Sequence, residues 1–206
     1  MRTQIQLNDG WIFHKGDLKV PRPTDKGPTY HQSKTVRKLI GPAAYGYYDK
    51  PDSYEYDRIS RSEGWKYVNI PHDYIIEQDN DPSQNNAHGF FKYDNAWYRK
   101  HFKLQDEAHG KRILLMFEGI AGHSTIYLNG CLMKHNFSSY NSFFIDISAN
   151  VYFDRENVIA VYVNTEEFEG WWYQGGGIYR DVSLLITDPV AIDVYGVYAP
   201  AKKVGE

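Results

Sequence analysis

A single cysteine, Cys131, stands in 206 residues. Neither an intrachain disulfide framework nor a thiolate metal cluster can be built from this chain, and Cys131 reads as an ordinary strand residue. Long apolar runs are missing too. None approaches the roughly 20 residues that span a bilayer, and none follows Met1-Arg2-Thr3-Gln4. No secretory signal is therefore read there, and a cytoplasmic protein with no membrane partner is the expectation. Concentrated positive charge is also lacking. The formal net charge is -3 and no run of Lys and Arg exceeds two residues, as in Lys202-Lys203 near the C-terminal end, whereas a phosphate backbone needs a dense basic surface. No nucleic-acid partner is expected. The 8 histidines include no pair at the helical spacing of a zinc motif, and no G-x-S-x-G elbow, P-loop or dinucleotide fingerprint occurs. No metal and no cofactor are expected. Convincing amphipathic helices of ordinary length are missing as well.

What the chain has instead is aromatic. Aromatics make up 16% of the residues, with 18 tyrosines, against 24% charged. Tyrosine and glycine in excess favour strands over helices. Ile5 to Lys15 reads as two short strands around an Asn8-Asp9-Gly10 turn. Asp17 to Ser62 has no period of either kind and holds Pro21, Pro23, Pro28, Pro42 and Pro51. So long a segment without a pattern is a functional loop or an insertion. Its tyrosines argue against full disorder, so a loop draped over the domain is expected, with a helical turn near 54–60. Trp65 to Ile70 is a short strand ended by Pro71, and a polar loop covers Gln78 to His88. From Trp97 to Leu104 apolar and polar residues alternate, as in a half-buried antiparallel strand. Arg112 to Phe117 is a continuous apolar run, hence a buried central strand. Asn129-Gly130 between two strand patterns is a hairpin signal, because both positions tolerate positive φ in a type I′ turn. Strands over 143–147, 157–164, 179–186 and 190–197 complete the series. About nine to eleven short strands predict a single all-β domain, a jelly-roll β-sandwich.

The stretch that stands out is Gly170-Trp171-Trp172-Tyr173-Gln174-Gly175-Gly176-Gly177-Ile178-Tyr179-Arg180. Flat aromatic faces beside glycines suit stacking on a sugar ring or on another protein surface. Equally, the stretch reads as a glycine-rich turn entering a strand, with its aromatics plugging the core. His72-Asp73 follows the strand-ending proline and stands at a loop edge, as part of a site or as a hydrogen-bonded pair pinning that loop. His88-Gly89-Phe90-Phe91 is a second loop, either with an aromatic tip or with buried phenylalanines. Together with Trp171 and Trp172 these loops could form one aromatic rim, since loops on a rigid β scaffold commonly carry binding. Arg180 has the geometry to bond carboxylates or carbonyls and lock the preceding loop, or to touch a ligand. The 26 acids include no pair that a local pattern marks as the two carboxylates of glycoside hydrolysis.

Several groups of residues, in order, resemble the N-terminal domain of glycoside hydrolase family 2, which includes β-galactosidases and β-glucuronidases. They are Leu7-Asn8-Asp9-Gly10-Trp11-Ile12-Phe13, Trp65 with Val68-Asn69-Ile70-Pro71-His72-Asp73, Ala96-Trp97-Tyr98-Arg99-Lys100 with Phe102, Phe117-Glu118-Gly119 with Tyr127-Leu128-Asn129-Gly130, and Gly177-Ile178-Tyr179-Arg180-Asp181-Val182. The resemblance implies a galactose-binding-like jelly roll, the sugar-binding domain, followed in such enzymes by an immunoglobulin-like sandwich and a catalytic (β/α)8 barrel. A barrel alone takes about 250 residues, so residues 1–206 are expected to be one non-catalytic domain with a long insertion at about 17–62, inactive by itself. In the family, loops of this domain help shape the sugar subsite, and some members place an acid just ahead of the G-I-x-R signature. Trp171 stands at or near that place and Glu169 is the nearest acid, so the contact here is either acidic or aromatic. The implied rim comprises Trp171, Trp172, Glu169, His72, Asp73, His88 and Phe90, with Arg180, Gly175, Gly176 and Gly177 locking the loop. Implied partners are a β-galactoside-like carbohydrate in the presence of the catalytic domain, the downstream domains, and a second copy in a homo-oligomer. The alternatives are an autonomous carbohydrate-binding module and a purely architectural packing domain.

Overall fold

The computed structural model describes residues 2–18, 41–47, 64–166 and 170–204. Ten strands follow in chain order: β1 (Thr3–Gln6), β2 (Trp11–Lys15), β3 (Lys66–Val68), β4 (Ala96–Phe102), β5 (Arg112–Phe117), β6 (His123–Leu128), β7 (Cys131–Asn136), β8 (Phe143–Asp146), β9 (Asn157–Asn164) and β10 (Val182–Thr187). They form two antiparallel sheets, ordered β1-β10-β5-β8 and β3-β2-β4-β9-β6-β7. Packed face to face, the sheets make the expected jelly-roll β-sandwich. Among the described residues the helical structure is confined to single 3-10 turns at Asn86–His88 and Asp106–Ala108.

Period-2 alternation places the inward residues. Tyr98 and Phe102 of β4, Ile126 and Leu128 of β6, Ile159, Val161 and Val163 of β9 and Leu184 of β10 meet Ile113, Leu115 and Phe117 of β5 in one core that also takes Trp11 and Phe13. Each such side chain removed from water contributes roughly 1.5–3 kcal/mol. The hairpin between β6 and β7 turns at Asn129 and Gly130 with φ of 51° and 83°, the type I′ geometry that the dipeptide predicts.

Several expectations need correction or restriction. The strand expected over 179–186 begins only at Val182. Gly177 pairs instead with Ala121, and the Ile178 carbonyl accepts from the His72 amide. Residues 190–197 form no strand. They lie across the outer face of the four-stranded sheet, where Val194 packs against Leu114, Met116 and Leu185, and the Tyr195 ring meets Phe144 edge-on. Among the described residues no strand offers that segment a backbone ladder, so its alternating apolar pattern has no sheet to join. β4, read as half-buried, is covered on both faces. Arg99 points away from the core yet is fully buried, because residues 42–47 cross over it. Apart from 17–18 and 41–47, the 17–62 insertion lies outside the described residues, as does the helical turn expected at 54–60.

Candidate functional site at the loop end of the sandwich

Strand registers bring the start of β4, the end of β9, the start of β6 and the end of β7 to one end of the larger sheet. The end of β5 and the starts of β8 and β10 mark the same end of the smaller sheet. The loops gathered there include 118–122, 137–142 and 170–181, and the segment from 69 to 95 runs into it.

The glycine triplet is interior to this end. The His72 amide donates to the Ile178 carbonyl at 2.8 Å and the Tyr74 amide to the Gly176 carbonyl at 3.0 Å. On the opposite edge, Gly177 and Ala121 exchange bonds of 2.8 and 3.1 Å. The triplet is thus a third backbone threaded between two others, and a side chain has no room there. A Cβ on Gly177 would lie 2.2 Å from the Tyr98 hydroxyl.

Asp73 sits on this thread. One carboxylate oxygen accepts from the amides of Ile75 at 3.0 Å and Gly176 at 2.9 Å, and the other accepts from the Tyr173 hydroxyl at 2.7 Å. Burial, together with the Asp73 carboxylate, pushes the Tyr173 phenol far above its ordinary range, so its proton stays on as a donor. His72 lies deeper. Its ring packs edge-on against Phe13 at 4.8 Å, its Nδ1 is 2.7 Å from the Tyr98 hydroxyl, and its Nε2 is 3.2 Å from Glu77 Oε1. A neutral ring with its proton on Nε2 accepts from Tyr98 and faces Glu77.

Burial is the main force on the His72 imidazole and holds its pKa below the ordinary 6.5. Glu77 and Asp73 act the other way, while Lys66 reinforces the drop. The unfolded chain therefore binds a proton before the folded one does, and stability is lost as pH falls from 6.5 through the lower folded value. Urea midpoints measured at pH 7.5 and pH 5 should differ more for the native chain than for His72→Gln, which cannot titrate. Equal differences would refute this.

The rim itself is aromatic. Trp171 is 90% exposed, Trp172 50% and Tyr140 47%. The Trp172 indole donates to the Tyr140 hydroxyl at 2.7 Å. Phe90 is exposed with a φ of 60°, whereas Phe91 packs edge-on against Tyr173 at 5.5 Å, so the loop at 88–91 has one aromatic at its tip and one inside. His88 is buried, and its Nε2 donates to the Gly170 carbonyl at 3.0 Å. Arg180 is exposed, lies over the Tyr179 ring, and reaches the carbonyls of Glu118 and Tyr140 only at 3.5 Å. Glu169 is outside the described residues. Among the described residues no group of acids, histidines and cysteines could hold a metal ion.

Of the residues singled out in the sequence, Trp171, Trp172 and Phe90 are therefore exposed at this end. His72, Asp73 and His88 lie beneath them, and Gly175, Gly176 and Gly177 form the thread. Sequence reasoning missed Tyr140 and Tyr93, the latter of which accepts from the Gln174 amide at 3.3 Å, and named Tyr173 only as part of the aromatic stretch. A lone aromatic in the polar run Ser138-Ser139-Tyr140-Asn141-Ser142, between two strands, was the available signal for Tyr140.

Known proteins resemble this chain over most of its length. It is 34% identical over 146 residues to a β-galactosidase, BoGH2A, of Bacteroides ovatus, covering 69% of this chain and 17% of that protein. It is 31% identical over 163 residues to a β-galactosidase of Thermoanaerobacter pseudethanolicus, covering 72% and 20%. A crystal structure of a β-glycosidase from Bacteroides vulgatus superposes with a TM-score of 0.69 at 29% identity, over 91% of this chain and 20% of that one. The chain thus spans about a fifth or less of each of these relatives. Residues 51–189 match the model described as the sugar binding domain of glycosyl hydrolases family 2, and the chain belongs to that family.

Proposed function

We propose that this chain is the non-catalytic N-terminal domain of a β-galactosidase-like glycosidase, and that its aromatic rim forms one wall of a sugar site completed by the rest of the enzyme. The observation that carries this reading is Trp171, 90% exposed between Gly170 and Trp172, which are both held by hydrogen bonds. A large aromatic presented in this way, beside Trp172 and Tyr140, is costly in water and marks a contact surface. An indole face suits the apolar C–H face of a pyranose, and galactosides and glucuronides both have one. The relatives named as β-galactosidases favour a β-galactoside. The four fifths or so of these relatives that this chain does not cover has ample length for a barrel of about 250 residues with its own pair of carboxylates. In this reading Trp171 takes the place of an acidic sugar contact and supplies stacking.

Assays with chromogenic β-galactosides and β-glucuronides should give no turnover by this chain and turnover by the full-length enzyme. In the full-length enzyme Trp171→Ala should raise KM roughly tenfold, about 1.4 kcal/mol, with kcat changed far less. A KM within twofold of native removes the sugar contact. Because the indoles are exposed in the chain as it stands, autonomous carbohydrate binding is the second reading. Galactoside binding to this chain by calorimetry, abolished by Trp171→Ala, would favour it over the first.

A further inference from the structure

The loop over 170–176 is fastened at nearly every residue except Trp171. His88 holds the Gly170 carbonyl, Tyr140 the Trp172 indole, and Tyr93 the Gln174 amide. Asp73 holds two points, Tyr173 and Gly176, one at each end of the turn that follows the tryptophans. It is also pressed onto the backbone between them. A Cβ on Gly175, whose φ is 71°, would lie 2.5 Å from Oδ2. Only a residue without a side chain lets the carboxylate lie flat on the turn.

We propose that Asp73 is the positioning residue of the aromatic rim: by clamping the Tyr173 hydroxyl and the Gly176 amide with one carboxylate, it fixes the turn that presents Trp171 and Trp172. The geometry calls for a group that only accepts. Three donors converge on two oxygens, and a carboxylate accepts only, with lone pairs for all of them. The 2.7 Å bond from Tyr173 has the length of a hydroxyl donating to a charged oxygen. Asparagine would keep an acceptor for the two amides but aim an NH2 group at the Tyr173 hydroxyl, forcing that hydroxyl to turn round. A pre-fixed turn also bears on binding, because ordering a mobile loop on contact would draw on the affinity the indoles supply. The clamp stands on geometry alone. Its consequence for sugar rests on the proposed function above.

The test is amide hydrogen exchange of the 170–176 segment in this chain, for the native protein, Asp73→Asn, Tyr173→Phe and the double variant. Tyr173→Phe removes one oxygen from a half-buried ring and leaves the core intact. Each single variant should speed exchange of that segment at least tenfold while β5 and β9 keep native protection. The double variant should add little to either single, since both break one clamp. In the full-length enzyme the same variants should raise KM several-fold with kcat within twofold. Native exchange in both singles, or fully additive effects, would overturn the clamp. Faster exchange together with an unchanged KM for Trp171→Ala would leave the clamp standing and defeat the sugar-contact reading instead.

Discussion

Gly177→Ala should destabilise this chain by roughly 2–5 kcal/mol. The position has a φ of 117°, and a methyl there would lie 2.2 Å from the Tyr98 hydroxyl and 2.6 Å from the His72 carbonyl oxygen. Neither neighbour has slack. Tyr98 is fully buried and bonded to His72, and the His72 backbone is tied to Ile178. Gly177 itself is bonded on both sides to Ala121, so it cannot retreat without breaking that bridge. Overpacking of this kind costs about 1–3 kcal/mol, and a positive φ adds roughly 1–2 kcal/mol for a residue with a Cβ. The sum is a large part of the typical stability of a domain, about 5–15 kcal/mol. A urea midpoint should drop accordingly, or the protein should be found insoluble. A loss below about 1 kcal/mol, under the low end of the overpacking range, would show that the threading of this segment is wrong.

Arg99→Ala has the second largest expected effect. Arg99 is fully buried on the outward face of a central strand, with Nη1 donating to the carbonyls of Pro42 and, at 3.0 Å, Ala44. Its guanidinium lies 5.5 Å from the Tyr47 ring, in a small outer cluster of Ile12, Trp65 and Trp97. Hydrogen bonds from a charged donor are worth about 1.5–3 kcal/mol each, but the 41–47 segment can lift and rehydrate its carbonyls. The net loss should therefore be about 2–4 kcal/mol. Limited proteolysis should cut that segment faster, and Arg99→Lys should recover only part, because an ammonium cannot lie as a planar cation against the Tyr47 ring. A variant with native stability and native protease resistance would mean that Arg99 does not anchor the segment.

Much of this architecture was legible in the chain. Alternation at Tyr98 and Phe102, the apolar run ending at Phe117 and the Asn129-Gly130 turn are local signals, set by pleat geometry and backbone sterics. Each kept its meaning in the fold. The ordered set of short motifs likewise carried the family. Arg99 misled, because its burial depends on a segment more than fifty residues away in sequence. Residues 190–197 misled because an alternating pattern specifies a face but not a partner strand.

At the candidate site the division is sharper. Sequence alone determined that aromatics and glycines concentrate between Gly170 and Arg180, that His72 and Asp73 follow a proline at a strand end, and that a β-sandwich of one family would carry them. Tertiary structure alone decided that Trp171 faces solvent while His72 is buried, that Asp73 reaches Tyr173 and Gly176 about a hundred residues away, and that Tyr140 supports Trp172. The physical reason is range. Backbone preference and hydrophobic period act over a few residues and are written in their order. A carboxylate finds its donors, and an indole its exposure, only when the sheets have packed and brought distant loops to the same end.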